Sequence, residues 1–128
     1  MNPERLARAL AGLLLTVGAT HFAFPKPFDE IIPEEIPGDP RALTYASGVA
    51  EVAIGAGLLA PRTRRVSALL AVALFVAVYP ANINTVRLWK DKPALRALAI
   101  ARLPFQFPMI WAAIKVFRAT GRPSGDRA

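Results

Sequence analysis

The sequence predicts an all-α protein, an integral membrane four-helix bundle, and three observations lead there. Apolar residues make up 54% of the 128 residues and charged ones only 20%, below the roughly 25% usual for soluble domains; mean hydropathy is +0.36. The apolar residues gather in four blocks, each close to the roughly 20 residues of helix that cross about 30 Å of hydrocarbon. Most charges fall between the blocks, as they do when the solvent of the helix surfaces is lipid rather than water.

Taken in order, the first span is expected over 4–24. Arg5 and Arg8 precede its apolar run as they would in a signal peptide. No convincing small-x-small cleavage site precedes Pro25, however, and three further apolar blocks follow, so this segment reads as a retained helix. Residues 25–40 carry Pro25, Pro27, Pro33, Pro37 and Pro40, interleaved with Phe28, Ile31, Ile32 and Ile36. The prolines argue against a continuous helix and the apolar residues against a free linker. The segment is expected to be a loop that folds back over the bundle end as a lid.

The second span covers 41–60, and a tight basic turn from Pro61 to Arg65 leads into the third, 65–88, which Pro80 should loosen locally. Lys90, Asp91, Lys92 and Pro93 connect it to the fourth, 94–117. Pro104 and Pro108 lie inside that helix, where each frees a backbone carbonyl. A kink packed against protein is therefore expected there. Residues 1–118 form one transmembrane domain, and 119–128 a polar tail expected to be disordered.

Charge orients the bundle. If the amino terminus is cytoplasmic, the inside carries nine of the 16 Lys and Arg residues and the outside six, with Arg102 inside the bilayer. The positive-inside rule then favours both termini inside. The acidic connection, with Asp29, Glu30, Glu34, Glu35 and Asp39, faces outward. The net charge of +7 and pI of about 10.8 would raise nucleic-acid binding in a soluble protein. Here the arginines stand at the ends of apolar blocks, where they act as topology determinants and contacts to anionic lipid, and no nucleic-acid partner is expected. The chain has no cysteine, which excludes disulfides, thiolate nucleophiles and cysteine metal sites.

Ionisable groups inside a membrane helix are costly unless they are paired or face a wet cavity. His21, Glu51 and Arg102 are such groups, and Asn82, Asn84 and Gln106 add uncharged polarity, so every span contributes. At a rise of about 1.5 Å per residue, Glu51 lies about 14 Å and Arg102 about 12 Å from the same surface. A Glu51–Arg102 ion pair between helices is the expected solution. Gln106 sits one turn from Arg102 on the same face. His21 and the asparagines lie nearer the outer end, where Tyr45 and Ser47 add hydroxyls, while Gly48, Gly55 and Gly57 offer a small-residue surface for close packing.

His21, Glu51, Asn82, Arg102 and Gln106 are therefore expected to line a small ligand-binding pocket beneath the lid. Each also has a plainer reading. The ion pair can serve only helix register. His21 reads more simply as a hydrogen-bonded packing residue than as a metal ligand, because no second His or Cys exists to complete a site. Asn82 and Asn84 are two apart and cannot share one helix face, so one of them should bond across an interface. Trp89 and Trp111 read as interfacial or packing residues rather than a stacking platform.

Several runs resemble DoxX-like membrane proteins: Gly18-Ala19-Thr20-His21-Phe22, Ile32-Pro33-Glu34-Glu35-Ile36-Pro37, Tyr45-Ala46-Ser47-Gly48-Val49-Ala50-Glu51 and Gly55-Ala56-Gly57-Leu58-Leu59. Thr63-Arg64-Arg65, Tyr79-Pro80-Ala81-Asn82-Ile83 and Arg102-Leu103-Pro104-Phe105-Gln106 continue the resemblance, which covers about residues 5–118. It implies a four-helix bundle of the bacterial cytoplasmic membrane, linked to membrane redox systems. A redox protein partner, membrane or peripheral, and a quinone as cofactor or ligand follow as expectations, with a homo-oligomer as a further one. On this reading the chain is a non-enzymatic membrane component that binds a small or quinone-like molecule or anchors a partner. The alternatives are a membrane enzyme using Glu51 and His21 for proton transfer, and an oligomeric small-solute transporter.

Overall fold

The computed structural model describes residues 2–121; the expected disorder of the tail falls, from 122 onward, outside the described residues. Six helices follow one another: α1 (Pro3–Ala23), α2 (Pro25–Ile31), α3 (Pro40–Leu59), α4 (Arg64–Ala77), α5 (Tyr79–Leu88) and α6 (Pro93–Thr120). With α4 and α5 taken as one interrupted span, four helical stretches are long and apolar enough to cross a membrane. The protein is an all-α, multi-pass membrane bundle.

Local chemistry sets the helix ends. Asn2 caps α1, its side chain accepting from Glu4 N at 2.8 Å, and Pro3 occupies the first turn, where a missing N–H costs nothing. Asp39 caps α3 from Ala42 N at 3.1 Å, with Pro40 in the first turn. At the far end of α3, Arg64 Nε donates to Leu58 O at 2.8 Å and Thr63 Oγ1 to Gly57 O at 2.7 Å. The basic turn thus satisfies carbonyls that a helix end leaves without partners. Arg65 does the same for α6, donating to Phe117 O at 3.2 Å while its guanidinium lies over the Phe117 ring.

Two expectations about helix continuity need correction. Residues 25–40 are not all loop: Pro25–Ile31 form the helix α2, because Pro25 and Pro27 sit in its first turn, the one place where prolines suit a helix. The carboxyl-terminal helix also runs to Thr120, past the limit expected for the domain. Pro80 does interrupt the third span, which breaks at Val78. In α6, by contrast, Pro104 and Pro108 are accommodated within one helix.

The spans form a ring in which α1 meets α3, α3 meets α4, α4 and α5 meet α6, and α6 closes on α1. The most extensive packing joins α1 to α3. On α1 the buried residues Ala7, Ala11, Leu14, Gly18 and His21 follow a 3.5-residue repeat, and on α3 Thr44, Gly48, Glu51, Gly55 and Leu58 follow the same one. Glycine on this seam lets the backbones approach. A Cβ on Gly18 would lie 2.8 Å from Val52 Cγ2 and 3.1 Å from Gly48 O, and one on Gly55 3.2 Å from Ala11 O. Gly57 lies off the seam and faces Ser67 of α4 instead. The apolar core, including Leu10, Leu14, Leu58, Phe75 and Val116, fills the half of the bundle away from α2. Facing outward, Phe105, Phe107 and Trp111 are 64%, 63% and 57% exposed, as suits a surface in contact with hydrocarbon rather than water.

Candidate functional site

The repeat that builds the α1–α3 seam also carries polar residues into it. His21 is the last buried position of α1 and Glu51 the midpoint of the α3 stripe; each is only 6% exposed. His21 Nδ1 stands 2.8 Å from Val17 O and 3.4 Å from Glu51 Oε2. A carbonyl oxygen can only accept, so Nδ1 carries the hydrogen donated to Val17 O. The imidazole stacks on Phe28 of α2, ring centroids 3.8 Å apart. Glu51 Oε2 is buried and has no hydrogen-bond partner.

The expected Glu51–Arg102 ion pair does not form. Glu51 turns into the α1–α3 seam and meets His21, whereas Arg102 is exposed and makes no ion pair among the described residues. The two nevertheless line one cavity of about 210 Å³, together with His21, Ser47 and Asn82. Equal depth brought them to one space without bringing them into contact.

The asparagines divide as their spacing requires. Asn84 Nδ2 donates to Ile31 O at 3.0 Å, tying α5 to the end of α2. Asn82 lines the cavity, and its Nδ2 is buried without a partner. Gln106, 1% exposed, donates from Nε2 to Phe75 O at 2.6 Å. Phe75 is in the last turn of α4, where Val78 N serves Leu74 O and Val76 O but the break leaves Phe75 O for a side-chain donor. Gln106 therefore staples the break, while its Oε1 is unpartnered beside a small void of about 40 Å³ that Glu51 and Arg102 also line. Tyr45, expected among the polar groups, lies on the outer surface, stacked with Phe22 at 5.4 Å.

The roof of the cavity is the 25–36 segment, which contributes Phe28, Ile31, Ile32, Pro33 and Ile36. Asp29 anchors this roof. Its Oδ1 accepts from Thr44 Oγ1 at 2.6 Å and its Oδ2 from Arg41 Nε at 2.8 Å. The Thr44 hydroxyl, aided by the Arg41 guanidinium, holds the Asp29 carboxyl below its ordinary value of 3.8. In the sequence Asp29 stands out only as one of the outward acidic charges and Phe28 only as one of the apolar residues of the lid, and Thr44 does not stand out at all. Thr44 nevertheless carried a readable signal, since it falls on the same repeat as Gly48 and Glu51.

A second hollow of about 290 Å³ adjoins the first and shares Phe28, Ile31, Asn82 and Arg102 with it. It runs between α2, α5 and α6 past Trp89 and Leu98. Chemically, the site offers a carboxylate oxygen, an amide donor, an imidazole and a guanidinium on otherwise apolar walls. Among the described residues no group of three or more His, Asp or Glu side chains is placed to hold a metal ion.

Neither curated proteins nor solved structures yield a match to this chain. A family model described as a domain of unknown function, DUF8561, matches residues 10–117. That interval takes in the roof and all five expected site residues, and it shows that the chain belongs to the DUF8561 family.

Proposed function

We propose that this protein binds a small lipid-soluble molecule in the cavity beneath α2, as a non-catalytic component of the membrane. One observation carries the reading: Glu51 Oε2 and Asn82 Nδ2, an acceptor and a donor, are both buried, both without a hydrogen bond to protein, and belong to residues of a single cavity. A buried polar group left unpaired costs about 1–3 kcal/mol, so a ligand that satisfies both recovers that cost. The remaining walls are mostly apolar, with His21, Thr44, Ser47 and Arg102 as further polar groups, and the two hollows together reach the roughly 300–1,000 Å³ range of small-molecule sites. A quinol-like ring with oxygens on opposite edges suits them, one hydroxyl donating to Glu51 Oε2 and the other oxygen accepting from Asn82 Nδ2. The resemblance to DoxX-like proteins supports a redox association, a bacterial cytoplasmic membrane and a redox protein partner. The charge balance supports placing both termini in the cytoplasm.

The test is thermal unfolding of the purified chain in lipid nanodiscs with and without 2-methyl-1,4-benzoquinone and the corresponding quinol. We expect one of the two to raise the wild-type midpoint. Glu51→Gln should remain folded and lose that response. No stabilisation of the wild type by either compound, or equal stabilisation of the variant, overturns the reading.

The 3.4 Å approach of His21 Nδ1 to Glu51 Oε2 favours one alternative, a membrane enzyme in which the pair moves a proton on a bound substrate. Oxidation of a quinol by the purified chain with an added one-electron acceptor to take up its electrons, lost in His21→Ala, would favour it over the binding role.

A further inference from the structure

Resting on the binding role just proposed, we infer that the ligand is a tailed amphiphile that enters sideways from the bilayer between α5 and α6. Its head, bearing a hydroxyl and a carbonyl, occupies the cavity, and its hydrocarbon tail lies in the hollow past Leu98. Three observations carry this. The cavity and the hollow adjoin, with the side chains of Phe28, Asn82 and Arg102 lining both. Toward the end of the bundle the cavity is roofed by the segment that Asp29 and Asn84 hold down, so the path through the hollow does not require lifting that roof. The hollow leads to Leu98, 65% exposed on the lipid-facing side of α6.

Arg102 marks the junction. It lines the cavity, the hollow and the small void below, and it has no ion-pair partner among the described residues. A guanidinium at this depth is costly without an acceptor. A carbonyl oxygen in the head would accept from Asn82 Nδ2 and the Arg102 guanidinium, while the hydroxyl donates to Glu51 Oε2. A free polar solute would satisfy the same atoms but would leave the hollow unexplained. An alkyl chain fills it with the contacts that neighbouring lipid would otherwise supply.

The test uses methyl and decyl 4-hydroxybenzoate with the full chain in nanodiscs, plus a decyl ester carrying a diazirine at mid-chain. We expect both esters to stabilise the wild type, and the diazirine probe to label residues 88–99 in a way that excess methyl ester suppresses. Leu98→Trp, which narrows the hollow at an exposed position, should weaken the decyl ester roughly tenfold, as overpacking by about 1.4 kcal/mol would. The methyl ester should bind this variant as it binds the wild type. Methyl-ester stabilisation with labelling spread over the Phe105–Trp111 surface, or no selective loss in Leu98→Trp, refutes the lateral route and leaves the cavity's binding role intact. If neither ester stabilises the wild type or suppresses labelling, the binding role fails and the inference fails with it.

Discussion

At the scale of single residues, the site is defined by which polar atoms are satisfied and which are not. Gln106 and Asn82 have the same amide chemistry at opposite ends of that distinction. Gln106 Nε2 donates to Phe75 O across the interrupted third span, whereas Asn82 Nδ2 has no partner. Gln106→Leu should therefore destabilise the bundle by about 1 kcal/mol, a typical interhelical hydrogen bond in a membrane. Asn82→Leu, which removes an unpaired buried amide, should leave the unfolding midpoint unchanged or raised and should remove ligand stabilisation. Thermal unfolding of both variants with and without the quinone probe checks this contrast. The identities of these residues were legible in the sequence because polar side chains are rare within apolar spans. Their partners were less so. Counting residues along each helix places Glu51 and Arg102 at one depth, but depth fixes only one coordinate. The rotation of α3 about its axis, set by the glycine seam, turns Glu51 toward His21 instead.

At the scale of elements, the α1–α3 seam and the α2 anchor shape the cavity. A Cβ on Gly48 would approach His21 Cβ to 2.9 Å and the Phe22 ring to 2.8 Å. Gly48→Ala should cost about 1–3 kcal/mol by forcing the seam apart. Gly12→Ala, whose Cβ would meet nothing within 4 Å, should be neutral or stabilising through helix propensity. Chemical denaturation of the two variants separates packing from propensity. The α2 anchor carries a pH signature. Because Thr44 and Arg41 favour the charged form of Asp29, its folded pKa lies below the ordinary 3.8. The contribution of this group to roof attachment is complete above that ordinary value and is lost as pH falls through the lowered folded value. Hydrogen exchange in residues 25–36 should therefore be steady from neutral pH to about 4, after correction for intrinsic rates, and accelerate in stronger acid. Asp29→Asn should accelerate it from neutral pH down to about 4 and remove the further acceleration in stronger acid. Helix α2 itself was hard to foresee, since five prolines between 25 and 40 read as helix-breaking until two of them fall in one first turn.

At the scale of the whole molecule, the four spans were the most legible feature, because hydrocarbon thickness alone dictates their length. The ring of helices follows from short connections, and the basic turn after α3 closes one end by capping both α3 and α6. The arrangement leaves apolar core in one half and a roofed polar cavity in the other. The most direct test of that cavity's role is a crystal structure of the chain grown from a lipidic mesophase with a bound quinone or quinol. We expect non-protein density under α2, within hydrogen-bond distance of Glu51 Oε2 and Asn82 Nδ2. A cavity closed by its own side chains, with both atoms bonded to protein, would contradict it.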